Sequence, residues 1–286
     1  MIVVVGATGT VGREVVRLLT QQGEQVGAVT RDPGAARFPD GVRVYGGDPS
    51  QPETLEAQLG DVDAILISPR AAGAGIGGLL ELAKARGARR AVLLSAVTVT
   101  HPAGEARFAD GYRNAERAMQ ASGLEWTFLR CTDFDANALA WAPQIQHGGV
   151  VRGAYGSAKT SPIHERDIGA VAAQALTDDV LRHAGQAYLL TGPESIDQYD
   201  KVRLLGEAID ETLSFQEITP QQLRQAMLAQ GLPEEIPDRL LGSGADYART
   251  PQPTTNTVAE ILGRPALGFG QWARDHADAF RVARVA

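Results

Sequence analysis

Met1-Ile2-Val3-Val4-Val5-Gly6-Ala7-Thr8-Gly9-Thr10-Val11-Gly12 is the stretch whose reading decides the fold. Its first five residues are an unbroken apolar, largely β-branched run, too short for a helix and of the kind found in a parallel strand buried on both faces. The run breaks straight into glycines. Val11, Val15, Leu18 and Leu19 then recur at helical spacing up to Gln22-Gly23, where the glycine suits a C′ position. Gln25-Val26-Gly27-Ala28-Val29-Thr30 is a second strand. Strand, glycine turn, helix and strand form the βαβ unit that holds a dinucleotide, because glycines let the backbone approach a pyrophosphate and free N–H groups at the helix start attract its charge. The spacing is G-x-x-G-x-x-G, one residue longer before the second glycine than G-x-G-x-x-G. Glycines also mark ordinary tight turns, so the flanking strand and helix carry the reading.

Working outward, Gly41 to Asp48 is a third strand, and Ser50-Gln51-Pro52-Glu53 spells a capping box opening a helix to Leu59-Gly60. Asp63 to Pro69 is a fourth strand. An open parallel sheet binds ligands beyond the carboxyl ends of its strands, which makes Ser68 and Pro69 cofactor neighbours. Gly73 to Gly87 is the next helix and Ala91 to Val97 a fifth strand, with Ser95 near its end. The second strand closes on Thr30-Arg31: an arginine there pairs with the 2′-phosphate of NADP, where an acid would bind the ribose hydroxyl of NAD. Asp32 follows, and the alternative for Arg31 is a solvated side chain beside the Pro33-Gly34 turn.

The 286 residues suffice for one large α/β domain, alone or with a small satellite. A net charge of −7 argues against nucleic acid as a partner, because neutralising phosphates needs a basic patch. The one basic cluster, Arg86-Gly87-Ala88-Arg89-Arg90, reads as a solvated helix end. With one cysteine no disulfide forms within the chain, which suits a reducing cytoplasm. No apolar segment approaches the length of a membrane span, and the first residues lack a signal-peptide layout.

Most short-chain dehydrogenases place Tyr and Lys four apart on one helix, so that the ammonium lowers the phenol pKa. Here Tyr112 is followed four residues on by Glu116, a carboxylate, so that couple cannot operate. The one Tyr-x-x-x-Lys string, Tyr155 to Lys159, sits among two glycines and a proline and reads as a loop. The glycine turn, together with Ser122-Gly123-Leu124-Glu125-Trp126-Thr127-Phe128-Leu129-Arg130, resembles the NmrA-like branch of the atypical short-chain dehydrogenase/reductases, which includes the type 2 NAD(P)H:quinone oxidoreductases. Gly185 to Glu194, Ile261 to Pro265 and Phe269 to Ala273 extend the resemblance over nearly the whole chain. Two positions depart from it: Tyr112 stands where Lys or His is usual, and Cys131 where Pro is usual.

The resemblance implies a doubly wound, Rossmann-type, mainly parallel α/β sheet with a smaller, mostly C-terminal α+β subdomain. The expected division is 1–131, 152–178 and 193–211 for the cofactor domain and 132–151, 179–192 and 212–286 for a lid, with substrate between them. NADPH is the expected cofactor, NADH the alternative, with Gly6, Thr8, Gly9, Thr10, Val11 and Arg31 at the phosphates and Ser68, Pro69, Ser95 and Tyr112 nearby. Asp48 lies near the adenine edge in the family; a turn carboxylate satisfying local N–H groups is the alternative. Ser95 matches a catalytic or substrate-orienting serine, or else is merely bonded to neighbouring backbone, and Tyr112 is the other candidate proton source. Phe134, Asn137, Trp141 and His164 are the substrate candidates. Phe134 and Trp141 share a face if their segment is α-helical, as core or as cleft wall, and His164, with no partners at metal-ligand spacing, is placed at the rim. No metal site is suggested. The implied function is NADPH-dependent reduction of a quinone or related conjugated carbonyl, which an aromatic substrate in a biosynthetic pathway would satisfy. The alternative is a non-enzymatic NADP(H) sensor acting through a regulatory partner protein; a homodimer is also compatible.

Overall fold

The computed structural model describes residues 1–178 and 180–281. They form two compact units: Met1–Val99, Asp110–Cys131 and Glu165–Leu190 make the first, and Thr100–Ala109, Thr132–His164 and Thr191–Ala286 the second. The strands in chain order are β1 Ile2–Val5, β2 Val26–Thr30, β3 Arg43–Gly46, β4 Ala64–Ile67, β5 Arg90–Ala96, β6 Glu125–Cys131, β7 Val150–Gly153, β8 Gln186–Leu190 and β9 Ser214–Glu217.

In the first unit seven strands pair in the order β3-β2-β1-β4-β5-β6-β8, every pair parallel. This is the doubly wound Rossmann arrangement. β1, β2 and β4 are buried along their whole length, as their continuous apolar runs require. Val5 is in register with Val29 and Ile67, so β1 and β4 end at one level, before Gly6 and Ser68, and β2 runs one residue further, to Thr30 before Arg31. The helix Thr10–Gln21 packs on the helix Glu165–Thr177, where a Cβ on Gly169 would meet Glu14 Cβ at 2.8 Å.

The second unit has its own core, in which Val151, Val202, Leu205, Ile209, Phe269, Trp272 and Phe280 are buried. Its strands β7 and β9 form a parallel pair. Among the described residues no helix is long and apolar enough to cross a membrane.

Several expectations need correcting. Residues 186–190 are the edge strand of the large sheet, because β8 hydrogen-bonds to β6. Residues 152–164 and 193–211 belong to the second unit, since the helix Gln198–Ile209 buries Val202, Leu205 and Ile209 there. Residues 100–109 join it too, with Gly104 N donating to Asp246 Oδ2 at 2.7 Å. The capping box does not form: Ser50 Oγ is drawn to Asp48 Oδ1 at 2.8 Å, and only Glu53–Glu56 is helical. In the basic cluster, Arg90 donates to the carbonyls of Ala175, in the last turn of the helix Glu165–Thr177, and of Asp178 just beyond it, so it is a helix cap and not a purely solvated charge.

Candidate active site

The first unit carries the cofactor candidates. Gly6 leaves β1 with φ +89°, a conformation that favours glycine, and a Cβ there would strike Ser68 Cβ at 2.8 Å. A Cβ on Gly12 would lie 2.1 Å from Gly6 O, so the helix start can approach the strand end only as glycine. Thr8, Gly9 and Thr10 are exposed. Gly9 is the N-cap of the helix Thr10–Gln21, no side chain caps the helix, and its first turn has no acid. Among the described residues no side chain competes for the helix-start N–H groups, and the turn fits a dinucleotide's pyrophosphate.

Around this turn the neighbouring strand ends supply polarity. The Arg31 guanidinium is exposed and makes no ion pair with the described residues. Asp32, the acid that would favour a ribose hydroxyl, has its Oδ1 occupied by Ala35 N at 3.1 Å. Asp48 is engaged locally: Oδ1 accepts from Ser50 N at 2.9 Å and from Ser50 Oγ at 2.8 Å. These bonds hold its carboxyl below the usual range, with Arg31 adding to the effect. Asp48 Oδ1 thus serves its own turn. Ser68 and Pro69, half-buried, follow β4 beside Gly6.

Ser95 is buried and bonds to a side chain, not to neighbouring backbone. Its Oγ donates to Glu116 Oε1 at 2.6 Å, and Arg130 grips the same carboxylate, Nε to Oε1 at 2.9 Å and Nη2 to Oε2 at 2.7 Å. Its one proton is committed to a buried carboxylate, so it cannot donate to a substrate without first breaking that bond. The pair with Glu116 also raises the Arg130 pKa. Tyr112 lies one turn before Glu116 on the helix Ala106–Ala121, half-buried, its hydroxyl unbonded among the described residues. The other tyrosine, Tyr155, is in a turn with φ +57° and Ala158 N donating back to its carbonyl, not in a helix with Lys159. Cys131 is buried at the end of β6, and burial pushes its thiol pKa up.

The second unit carries the substrate candidates. Phe134 is half-buried and precedes a 3₁₀ helix, Asp135–Trp141. At about three residues per turn a seven-residue step does not return to the same face, so Trp141 does not stack over Phe134 as an α-helix would place it; instead it packs against the second unit's core. Asn137 is exposed, and its Nδ2 donates to Asp133 Oδ1 at 2.5 Å. His164 is another correction: its side chain is 0% exposed, 3.4 Å from Asp275 Oδ2, and so lies in the interior and not on a rim.

Missing from the expected set are Glu116 and Arg130 in the first unit and Asp133, Lys201 and Thr160 in the second. Lys201 is buried, with Nζ 3.1 Å from Asp133 Oδ2 and 2.9 Å from Thr160 Oγ1. A signal existed in both cases: Glu116 adjoins the buried Ala115 and Met119, and Lys201 sits beside Val202 and Leu205 on the apolar side of its helix.

A family profile described as NAD(P)H-binding matches residues 6–179. The chain is 35% identical to the (4-alkanoyl-5-oxo-2,5-dihydrofuran-3-yl)methyl phosphate reductase of Streptomyces griseus, over 98% of this chain and 99% of that protein. It is also 35% identical to the NAD(P)H azoreductase of Xenophilus azovorans, over 99% and 100% respectively. The NADPH complex of the NADPH-dependent quinone oxidoreductase of Escherichia coli shares the fold, with TM-score 0.79 at 23% identity over 96% of this chain and 99% of that one. By the profile, the full-length relatives and the glycine turn that fits a pyrophosphate, the chain belongs to the NAD(P)H-binding family and is an NAD(P)H-dependent oxidoreductase.

Proposed function

We propose that this oxidoreductase uses NADPH to reduce a quinone or a related conjugated carbonyl compound, an aromatic biosynthetic intermediate included, by hydride transfer that relies on positioning and not on a Tyr–Lys acid. The observation that carries this is the Ser95–Glu116–Arg130 arrangement. It takes the serine's proton and fills the place of the usual lysine with a carboxylate already paired to an arginine. An isolated ketone needs an acid to neutralise the alkoxide as it forms; a quinone spreads the charge over its ring and can take its proton from water or from the Tyr112 hydroxyl. Bound NADPH supplies the hydride, and the chain's own residues orient the acceptor and exclude water.

NADPH is favoured over NADH because Arg31 has no ion pair among the described residues while Asp32 is held in its turn. The names of the relatives agree in kind: azo compounds, quinones and an oxo-dihydrofuran all present conjugated π systems. Asn137, exposed beside Phe134, is the candidate contact for the acceptor. The single buried cysteine suits a cytoplasmic setting.

The test is NADPH oxidation, followed by fluorescence, against benzoquinones, naphthoquinones, polycyclic quinones and conjugated carbonyls. Turnover is expected on at least one class. Tyr112→Phe should keep it within about tenfold, whereas loss of an essential general acid would cost roughly 10²–10⁴-fold. Tight NADPH binding with no turnover on any acceptor, joined to cofactor-dependent capture of a partner protein, would replace the reductase with a redox sensor.

A further inference from the structure

Asp133 joins a buried lysine to an exposed amide. One carboxylate oxygen, Oδ2, accepts from Lys201 Nζ at 3.1 Å, and the other, Oδ1, accepts from Asn137 Nδ2 at 2.5 Å. The Lys201 side chain is 5% exposed and its ammonium donates also to Thr160 Oγ1 at 2.9 Å. An ammonium among Val202, Leu205 and the rest of this core is costly unless paired, and a methionine would fill the space without that cost. The charge therefore has a use.

That use follows from hydrogen-bond chemistry. An asparagine has one accepting and one donating end, and which end faces outward is decided by its partners. An ionised carboxylate only accepts. Asp133 accordingly turns the Asn137 nitrogen toward itself, leaving the second N–H and the carbonyl oxygen for a ligand. An Asp133 carboxylate free to rotate would hold no such orientation, and the ammonium is what stops it rotating.

We propose that Lys201 is a positioning residue, which pins Asp133 and through it fixes the Asn137 amide with one N–H available to the carbonyl oxygen of the acceptor. The proposal rests on the reading of Asn137 as an acceptor contact given above.

The experiment separates the two. Side-chain amide resonances are recorded for the ¹⁵N-labelled full-length protein, with Asn137→Ala identifying the Asn137 pair. In the wild type one proton of that pair is displaced downfield by the carboxylate; in Lys201→Met both move to solvent-like positions, and Lys201→Arg restores the displacement. Should Lys201→Met fail to fold, Lys201→Gln keeps a donor without the charge and moves the same signal in the same direction by less. An Asn137 pair unmoved in the folded variant overturns the proposal whether or not the enzyme turns over.

With an acceptor in hand, Lys201→Met raises its KM by on the order of tenfold, leaves NADPH affinity unchanged, and adds nothing to Asn137→Ala, as expected when two residues act through one contact. A KM unchanged in Asn137→Ala would remove Asn137 from acceptor binding and leave the amide signal to decide the lysine's part. Additive effects of the two substitutions on KM would overturn the relay.

Discussion

Arg130 meets Glu116 side-on, with Nε 2.9 Å from Oε1 and Nη2 2.7 Å from Oε2, so that two N–H donors run parallel into one carboxylate whose Oε1 also accepts from Ser95 Oγ. Arg130 and Ser95 stand opposite each other in the β5–β6 register, which brings both within reach of the same helix residue. The fork geometry suits arginine and not lysine.

Breaking this pair should show first in stability. Glu116→Gln is expected to cost about 2–3 kcal/mol, less than the roughly 3–5 kcal/mol of a fully buried pair because the Arg130 side chain is 21% exposed. Denaturant midpoints with unchanged slopes are the measurement. Ser95→Ala removes one hydrogen bond and should cost only about 1–2 kcal/mol, with turnover largely kept. A collapse of kcat in a stable Ser95→Ala protein would show that the serine leaves Glu116 to act on substrate.

The proposed role of Arg31 is to set cofactor choice. Arg31→Ala is expected to weaken NADPH binding by about 1.5–3 kcal/mol, roughly ten- to a hundredfold, because a charge-assisted pair with the 2′-phosphate is lost. NADH binding should stay within about twofold, since NADH lacks the phosphate that the arginine would meet. Titration calorimetry with each nucleotide decides it, and equal losses would remove Arg31 from the site.

Gly12 is the steric limit of the glycine turn. A methyl group there would sit 2.1 Å from Gly6 O, so Gly12→Ala must push the helix start away from β1. The expected cost is about 2 kcal/mol or more, with NAD(P)H binding reduced further than stability alone explains. Gly23→Ala is the contrast: the site is open but has φ +81°, so it carries backbone strain without touching the turn.

Cys131 should be silent to thiol reagents in the folded protein and react once unfolded, because burial keeps the thiol protonated. The folded pKa lies above the unfolded one, so the stability linked to this group is fully present below about pH 8.5 and falls as pH rises beyond it. The slope is about 1.4 kcal/mol per pH unit in that range. Comparing wild type with Cys131→Val at pH 8 and pH 10 isolates it from tyrosines that titrate nearby; parallel curves would mean that the thiol is accessible to base.

The features legible in the sequence are those that near neighbours decide. Five apolar residues, three glycines and a helical period lie within Met1 to Leu19, and each constrains its own backbone directly. The replacement of a Tyr–Lys couple by Tyr112 and Glu116 is legible for the same reason, since four residues on a helix are one turn. What Glu116 does instead depends on Ser95, 21 residues before it, and Arg130, 14 after it, on separate strands.

The rest was settled by packing at long range. Lys201 finds Asp133 across 68 residues, and His164 is interior beside Asp275 and His276, more than a hundred residues away in sequence. The segment after Phe134 winds as a 3₁₀ helix, which moves Trp141 off the face that an α-helical period assigns. β8 joins the large sheet because the edge of β6 offers unpaired backbone groups. Periodicity tells a residue which way to face along its own element; which distant charge or strand edge it meets is set only when the elements close on one another, and there the buried polar partners of this protein are chosen.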